Sequence, residues 1–433
     1  MKKFTGTFFA YSGLVGLIVG MIAALFMGFV EIGNQWLWQT VPNSLGNPSL
    51  YPLLVCILGG LSIGFFVRYF GKYPKTAAEI TQEIQKKGRF DYKEATIVRT
   101  VLGSLLVLLF GASVGPEAAV IGIIASSLTY FADRLKVKPA VRKDFLEFGS
   151  GTVMGVIFMA PLYGVGSSLE NERWQDLSES KIKKYVLYIF ATFTGFISYL
   201  ITYSFFPNQE QIFAIHRMST SMTVPGFLLL VPVIVLGALF GKLFSFLLEK
   251  TESFNQRIKN PVPLAVAAGI LLGIMGMISP VFLFSGEHSI LSFTRQAATM
   301  NAFVILAFGV GKMLITMVCL ACNWRGGSIF PMIFSSVAIA FAVVRVFPHS
   351  PGLLVAIFTA SACGVILKKP FATACLFLLF FPVKLFLWVW AAAFLGNALF
   401  KWLPRLQELS EKQVNSKKKV QKNKPERKSR TKR

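Results

Sequence analysis

Apolar positions in this chain come in long blocks, not with the period of an amphipathic helix or a strand. The runs are Phe8–Val30, Leu53–Val67, Val101–Phe110, Val186–Phe206, Val224–Leu247, Leu264–Phe284, Ala302–Leu320, Ile329–Val344, Leu353–Leu367 and Phe371–Phe400, separated by shorter polar stretches. A membrane-spanning helix needs about 20 apolar residues, and several of these runs are longer or shorter than that. In lipid every backbone polar group must be satisfied within the protein, so blocks of this kind predict helices, here tilted and broken ones. The fold class expected is an all-α polytopic membrane protein. The first run follows only Lys2 and Lys3 and has no cleavage-like polar exit, so it reads as a retained helix, not a signal peptide.

One carboxylate interrupts the pattern. Glu117 lies in Gly111-Ala-Ser-Val-Gly-Pro-Glu117-Ala-Ala-Val-Ile-Gly122, between apolar Val101–Phe110 and apolar Ala118–Phe131. The second of these runs has 14 residues, too few to cross. A helix starting at Glu117 therefore begins inside the membrane, where Gly115 and Pro116 break the chain. Helix N-termini at that depth aim free N–H groups and a positive dipole end at anions. An acid at such a place is a functional residue by default. The alternative for Glu117 is a structural cap.

The chain also repeats itself. Gly155-Val-Ile-Phe-Met-Ala-Pro161 recurs as Gly364-Val-Ile-Leu-Lys-Lys-Pro370, an offset of 364 − 155 = 209. Gly115-Pro116 finds a counterpart in Gly326-Gly-Ser-Ile-Phe-Pro331, an offset of 326 − 115 = 211. Two inverted-topology repeats are expected, residues 1–206 and 224–410, joined by an extracellular loop at 207–223 and followed by a basic tail at 411–433. Repeat transporters place substrate at the repeat interface. Basic residues crowd Arg68–Arg99, Arg134–Lys143, Lys181–Lys184, Lys250–Lys259 and the tail, whereas Pro207–Thr223 carries Arg217 alone. By the positive-inside rule both termini are cytoplasmic.

Composition narrows the class. With 54% hydrophobic and 15% charged residues, the chain is not a soluble enzyme. Its net charge of +24 is concentrated at the end, where Lys417–Arg433 holds ten Lys/Arg against one Glu. That tail reads as an anchor drawn to anionic lipid and not as a nucleic-acid site. Cys319-Leu-Ala-Cys322 is a lone pair without metal-site spacing, so neither metal nor cofactor is expected. Lys312 and Lys384 interrupt apolar runs, and each reads as snorkelling or paired with a helix end, or as a pore residue. Gly111-Ala-Ser113-Val-Gly115 satisfies the G-x-S-x-G pattern of serine hydrolases, which would make this an intramembrane protease using Ser113. That chemistry needs a base beside the serine, and His216, His288 and His349 all lie outside the apolar runs.

At these residues a family resemblance enters. Gly111-x-Ser113-x-Gly115-Pro116-Glu117 resembles the G-x-S-x-G-[RK]-E-G-P motif of the CLC chloride channels and proton/chloride antiporters. Lys312, Thr316 and Gly326-Gly327-Ser-Ile-Phe-Pro331 are similar to that family's K…T…GG-x-F-x-P segment. Ala160-Pro161-Leu162 followed by Glu170 resembles its N-A-P-L-A-G…E-E stretch, and Phe284-Ser285-Gly286-Glu287 fits a connection in its second half. The resemblance implies a homodimer in the cell membrane with one pore per subunit, carrying chloride or a similar anion, and protons in the exchangers. It makes Glu117 the gating, proton-accepting glutamate. It implies anion contact at Ser328, Ile329, Phe330 and Ala118, and at Thr76, which stands beside the serine position of the first family motif in Pro74-Lys75-Thr76-Ala-Ala-Glu79.

The departures bear on mechanism. Pro116 replaces a basic residue, Ala118-Ala119 replace Gly-Pro, and no counterpart of the family's pore tyrosine is found near the last helix. Asn171 replaces the second acid of the E-E pair, which relays protons from inside. No regulatory domain is expected after the membrane part. The expectation leans to a proton/chloride exchanger, with a passive glutamate-gated channel, or a carrier of another small anion such as fluoride, as the alternatives.

Overall fold

The computed structural model describes residues 6–76, 79–80, 83, 90, 94–134, 149, 151–170, 181–207 and 215–401. Asn171 and the tail lie outside the described residues. Among them helices dominate, and the one β-type contact is an isolated antiparallel bridge between Gly115 and Gly327. Among the described residues eight helices are long and apolar enough to cross a membrane.

The first half holds α1 (Gly6–Gln35), α2 (Tyr51–Phe70), α3 (Glu94–Leu109), α4 (Glu117–Arg134), α5 (Pro161–Leu169) and α6 (Lys181–Tyr203). The second holds α7 (Leu230–Arg257), α8 (Pro261–Ile278), α9 (Ile290–Ala297), α10 (Ala302–Ala321), α11 (Ile329–Val346), α12 (Pro351–Leu367), α13 (Pro370–Phe377) and α14 (Val383–Lys401). Prolines open α5, α8, α12 and α13, where a missing N–H costs nothing. Asn301 caps α10 through a hydrogen bond from Phe303 N–H at 2.9 Å. The first apolar run extends further than its hydropathy suggests, passing through a π-helical turn at Trp36–Thr40 into a short helix ending at Ser44.

Helices pair through small residues, since lipid gives no hydrophobic drive for association and close van der Waals contact must supply it. Helix α1 lies on α6, α2 on α8, and α7 on α12. A Cβ on Gly20 would fall 2.1 Å from Gly195 O, and one on Gly241 would fall 2.4 Å from Ala362 O. The outward faces of these helices carry exposed Leu, Ile and Phe, for example Leu271 and Ile274 on α8.

The backbone repeats as the sequence does. Met159 (φ 52°) and Lys368 (φ 55°) are both left-handed, 368 − 159 = 209 residues apart. The residues after them, Ala160 (φ −127°, ψ 78°) and Lys369 (φ −134°, ψ 81°), lead into the proline-started helices α5 and α13, which pack on each other. At the breakers the register differs by one from the sequence reading. Gly115 pairs with Gly327 and not Gly326, an offset of 327 − 115 = 212. The helix starts Glu117 and Ile329, and the left-handed turns Gly111 (φ 79°) and Asn323 (φ 70°), share that 212 offset. The tandem glycines at 326–327 conceal which of the two is equivalent to Gly115. This arrangement is the inverted-repeat architecture of tilted and broken helices.

Candidate functional site

The site is built where the two breakers meet. Gly115 N–H donates to Gly327 O and Gly327 N–H donates to Gly115 O, each at 2.7 Å. This reciprocal pair sets the starts of α4 and α11 against each other. Only glycines fit, because the Glu117 carboxylate lies against both: a Cβ on Gly115 would fall 2.1 Å from Glu117 Oε2, and one on Gly327 1.5 Å from it.

Glu117 is 1% exposed. Its Oε1 accepts the N–H of Phe330 at 3.1 Å, across the repeat boundary. Its Oε2 is buried and has no hydrogen-bond partner among the described residues. A free N–H at a helix N-terminus is an anion site, and here a carboxyl oxygen of Glu117 fills it. The Phe330 ring itself is buried against Phe158, centroids 4.8 Å apart, and Phe158 against Tyr163 at 5.1 Å.

Two cavities flank this closure. One, of about 360 Å³, is lined by Glu117, Ala118, Thr76, Gly326, Gly327, Ser328 and Ile329, together with Lys72, Glu79, Glu252 and Arg325. The other, of about 180 Å³, reaches Val114 and Pro116 from the opposite side, and its wall includes Glu31, Asn34, Trp38, Glu287 and His288. Glu287 enters the sequence reading only as the end of the Phe284–Glu287 connection, and Glu31 does not stand out there at all.

Most of the expected residues come together. Glu117, Ala118, Thr76, Ser328 and Ile329 share one cavity, and Phe330 contributes its N–H. Thr76 also acts locally, as half of a capping box. Its N–H donates to Glu79 Oε2 at 2.7 Å, and its Oγ1 accepts Glu79 N–H at 3.2 Å. Pro116 and Pro331 are buried at the two helix starts. Ser113 is fully buried with Oγ 3.1 Å from Thr316 Oγ1, two hydroxyls on each other and no base in the pair. The hydrolase reading therefore loses its nucleophile.

The remaining charges divide between backbone contacts, the surface and the cavity wall. Lys312 does not line either cavity; its Nζ donates to the carbonyls of Val281, Leu283 and Phe284 at 2.9, 3.0 and 2.6 Å, holding the turn before Glu287. Lys384 is exposed. Glu170 accepts the N–H groups of Phe371 and Ala372 at 2.8 and 2.9 Å, capping α13 across the repeat boundary. Arg325 lines the larger cavity and also pairs with Glu79 at 2.9 Å while donating to Lys72 O at 2.7 Å. Partial burial alone would raise the Glu79 carboxyl, but the Arg325 guanidinium and Thr76 outweigh it and hold it below its ordinary 4.5.

Comparison with known proteins agrees with this fold. Relatives in Shigella flexneri and Escherichia coli that carry the name putative ion-transport protein YfeO are 24% and 26% identical over 371 residues, covering 82% of this chain and 82% of each relative. The fold matches that of a slow cyanobacterial Cl−/H+ antiporter, with TM-score 0.72, 19% identity, and 94% of this chain and 98% of that one covered. A CLC-type fluoride/proton antiporter matches at TM-score 0.72 and 15% identity, covering 92% of this chain and 98% of that one. The family model described as voltage gated chloride channel matches residues 59–401, and the chain belongs to that family of anion channels and transporters, which are not enzymes.

Proposed function

We propose that this protein exchanges chloride for protons across the cell membrane, with Glu117 as both gate and proton acceptor. What carries the reading is the hydrogen bond from Phe330 N–H to Glu117 Oε1 at a buried helix start. An ionised Glu117 occupies the amide that an anion would use. Protonation removes the charge, weakens that bond and lets the anion replace it. Ala118, Ser328, Ile329 and Phe330 then form the anion site at the end of the larger cavity, and Thr76 stands at its wall. Lys72 and Arg325 on the same wall raise the local anion concentration.

Around that site the proposal keeps a homodimer, two membrane repeats at 1–206 and 224–410 with the 207–223 loop outside, and both termini in the cytoplasm with the basic 411–433 tail. The larger cavity then opens inward. The fold likeness to both a Cl−/H+ and a fluoride/proton antiporter makes fluoride the second anion to try.

The test is anion efflux from proteoliposomes with external pH recorded at the same time, for wild type and Glu117→Gln. Chloride driving protons uphill in wild type, and no proton movement in the variant, is the expected result. Chloride flux without proton movement in wild type makes the protein a passive channel with a glutamate gate. No flux of chloride in either protein, with fluoride carried instead, reassigns the anion.

A further inference from the structure

Three acids line the larger cavity: Glu79, Glu117 and Glu252. Two are engaged. Glu79 is held by Arg325 through both carboxylate oxygens, at 2.9 and 3.0 Å, and by the Thr76 N–H. Glu117 is held by Phe330 N–H through one oxygen, and its other oxygen is buried and unpartnered. Glu252, on α7, makes no hydrogen bond or ion pair among the described residues and stands open to the cavity. The charged groups that face it are Glu79 and Arg325 from across the cavity and Glu249 from its own helix, with Lys72 also on the wall.

That placement addresses a problem of charge. Arg325 is offset by Glu79, which leaves Lys72 as the cation on this wall without an acid partner among the described residues, drawing an anion inward and repelling a hydronium on the same route. A proton bound for Glu117 needs an intermediate holder in that field, and a partnerless carboxylate meets the need. The acid at the end of the α5 segment cannot serve, since both Glu170 oxygens accept the N–H groups that start α13. Hydroxyl and amide groups of Thr251, Gln256 and Ser328 line the cavity beside Glu252 and Glu117 and can hold a chain of waters.

We propose that Glu252 passes protons between the water of the larger cavity and Glu117. The step balances simply: protonated Glu252 gives its proton through the cavity to the Glu117 carboxylate, Glu252 is left ionised, and bulk water returns a proton to it. Protonated Glu117 then releases the Phe330 N–H to the anion. The inference rests on Glu117 being the proton acceptor, so its test includes that residue.

In proteoliposomes, anion and proton fluxes are recorded together for wild type, Glu117→Gln, Glu252→Gln and Glu252→Asp. Glu252→Gln is expected to lower the proton-to-anion ratio by about tenfold, and Glu252→Asp to restore most of it. Because Glu252 is exposed, both variants should fold, and equal thermal melting in detergent checks this. An unchanged ratio in Glu252→Gln, with the ratio lost in Glu117→Gln, overturns the role of Glu252 and leaves that of Glu117 standing. Equal slowing of both ions in Glu252→Gln reduces the residue to a charge at the mouth and also overturns it. Wild type that moves anions without protons overturns both.

Discussion

At the scale of single residues, the site depends on what is absent at position 327. Glycine there leaves the space in which Glu117 Oε2 lies, and its backbone is not left-handed, so alanine can adopt the same angles. A Cβ 1.5 Å from Oε2 has to displace the carboxylate. Gly327→Ala should therefore free the Phe330 N–H at every pH. Anion flux in the variant should exceed that of wild type by about tenfold at alkaline pH, where the wild-type gate is ionised, and should lose most of its pH dependence. Flux measured at an acid and an alkaline pH decides this: a variant with the wild-type pH profile would mean that the carboxylate does not block the site. Glu117 is legible in the sequence because a charged residue beside a breaker is conspicuous in an apolar field. The glycines are legible as breakers only. That they make room for a side chain is a three-dimensional fact, brought about by a partner 327 − 117 = 210 positions away.

At the scale of elements, Lys72 and Glu79, between α2 and α3, are held to Arg325 of the second half. Glu79 and Arg325 are 246 positions apart, and no pattern in the chain signals that they meet. Basic residues of that stretch speak for membrane orientation, and Arg325 for its nearness to a breaker, so the partnership is invisible before folding. Its pH dependence has a definite sign. Arg325 and Thr76 depress the folded-state value of Glu79 below 4.5, so folding favours the ionised form. The pair stabilises the protein above pH 4.5, and that contribution is lost as pH falls through the lower folded value. Glu79→Gln should thus melt earlier than wild type at neutral pH, by a few degrees at most given the exposure of the side chain, and the two melting curves should converge on acidification. A gap that widens toward low pH would contradict the assignment. Lys312 shows the same limit of sequence reading: pairing with a helix end or a snorkelling position is foreseeable, while the run of carbonyls at 281–284 that receives it is not.

At the scale of the whole molecule, the two halves enclose two cavities that stop at one closure, and their walls differ in charge. The larger sets Lys72 and Arg325 beside Glu79, Glu117 and Glu252, while the smaller is lined by Glu31, Tyr203, Glu287 and His288 and by neither Lys nor Arg. Lys250, Arg257 and Lys259 stand near the end of α7 that borders the larger cavity. In the proposed orientation, which follows the positive-inside rule, the larger cavity is cytoplasmic and the smaller one external. The repeat is readable from its glycines and prolines, and the proposed orientation rests on the basic loops; the cavities are not readable, because each wall gathers residues from helices far apart in the chain. Cysteine labelling tests the assignment directly. Cys56, Cys319, Cys363 and Cys375 are buried and Cys322 is half-buried, so replacing Cys322 leaves a quiet background. Gln256 and Gln39 are exposed on the larger and smaller cavities respectively. In that background Gln256→Cys should react with a membrane-impermeant thiol reagent in inside-out vesicles only, and Gln39→Cys in right-side-out vesicles only. Reversal of both would invert the protein in the membrane and place Glu252 on the external route. Reaction of either cysteine from both sides would mean that the Gly115–Gly327 closure does not separate the two compartments, and gating by a single carboxylate would then fail with it.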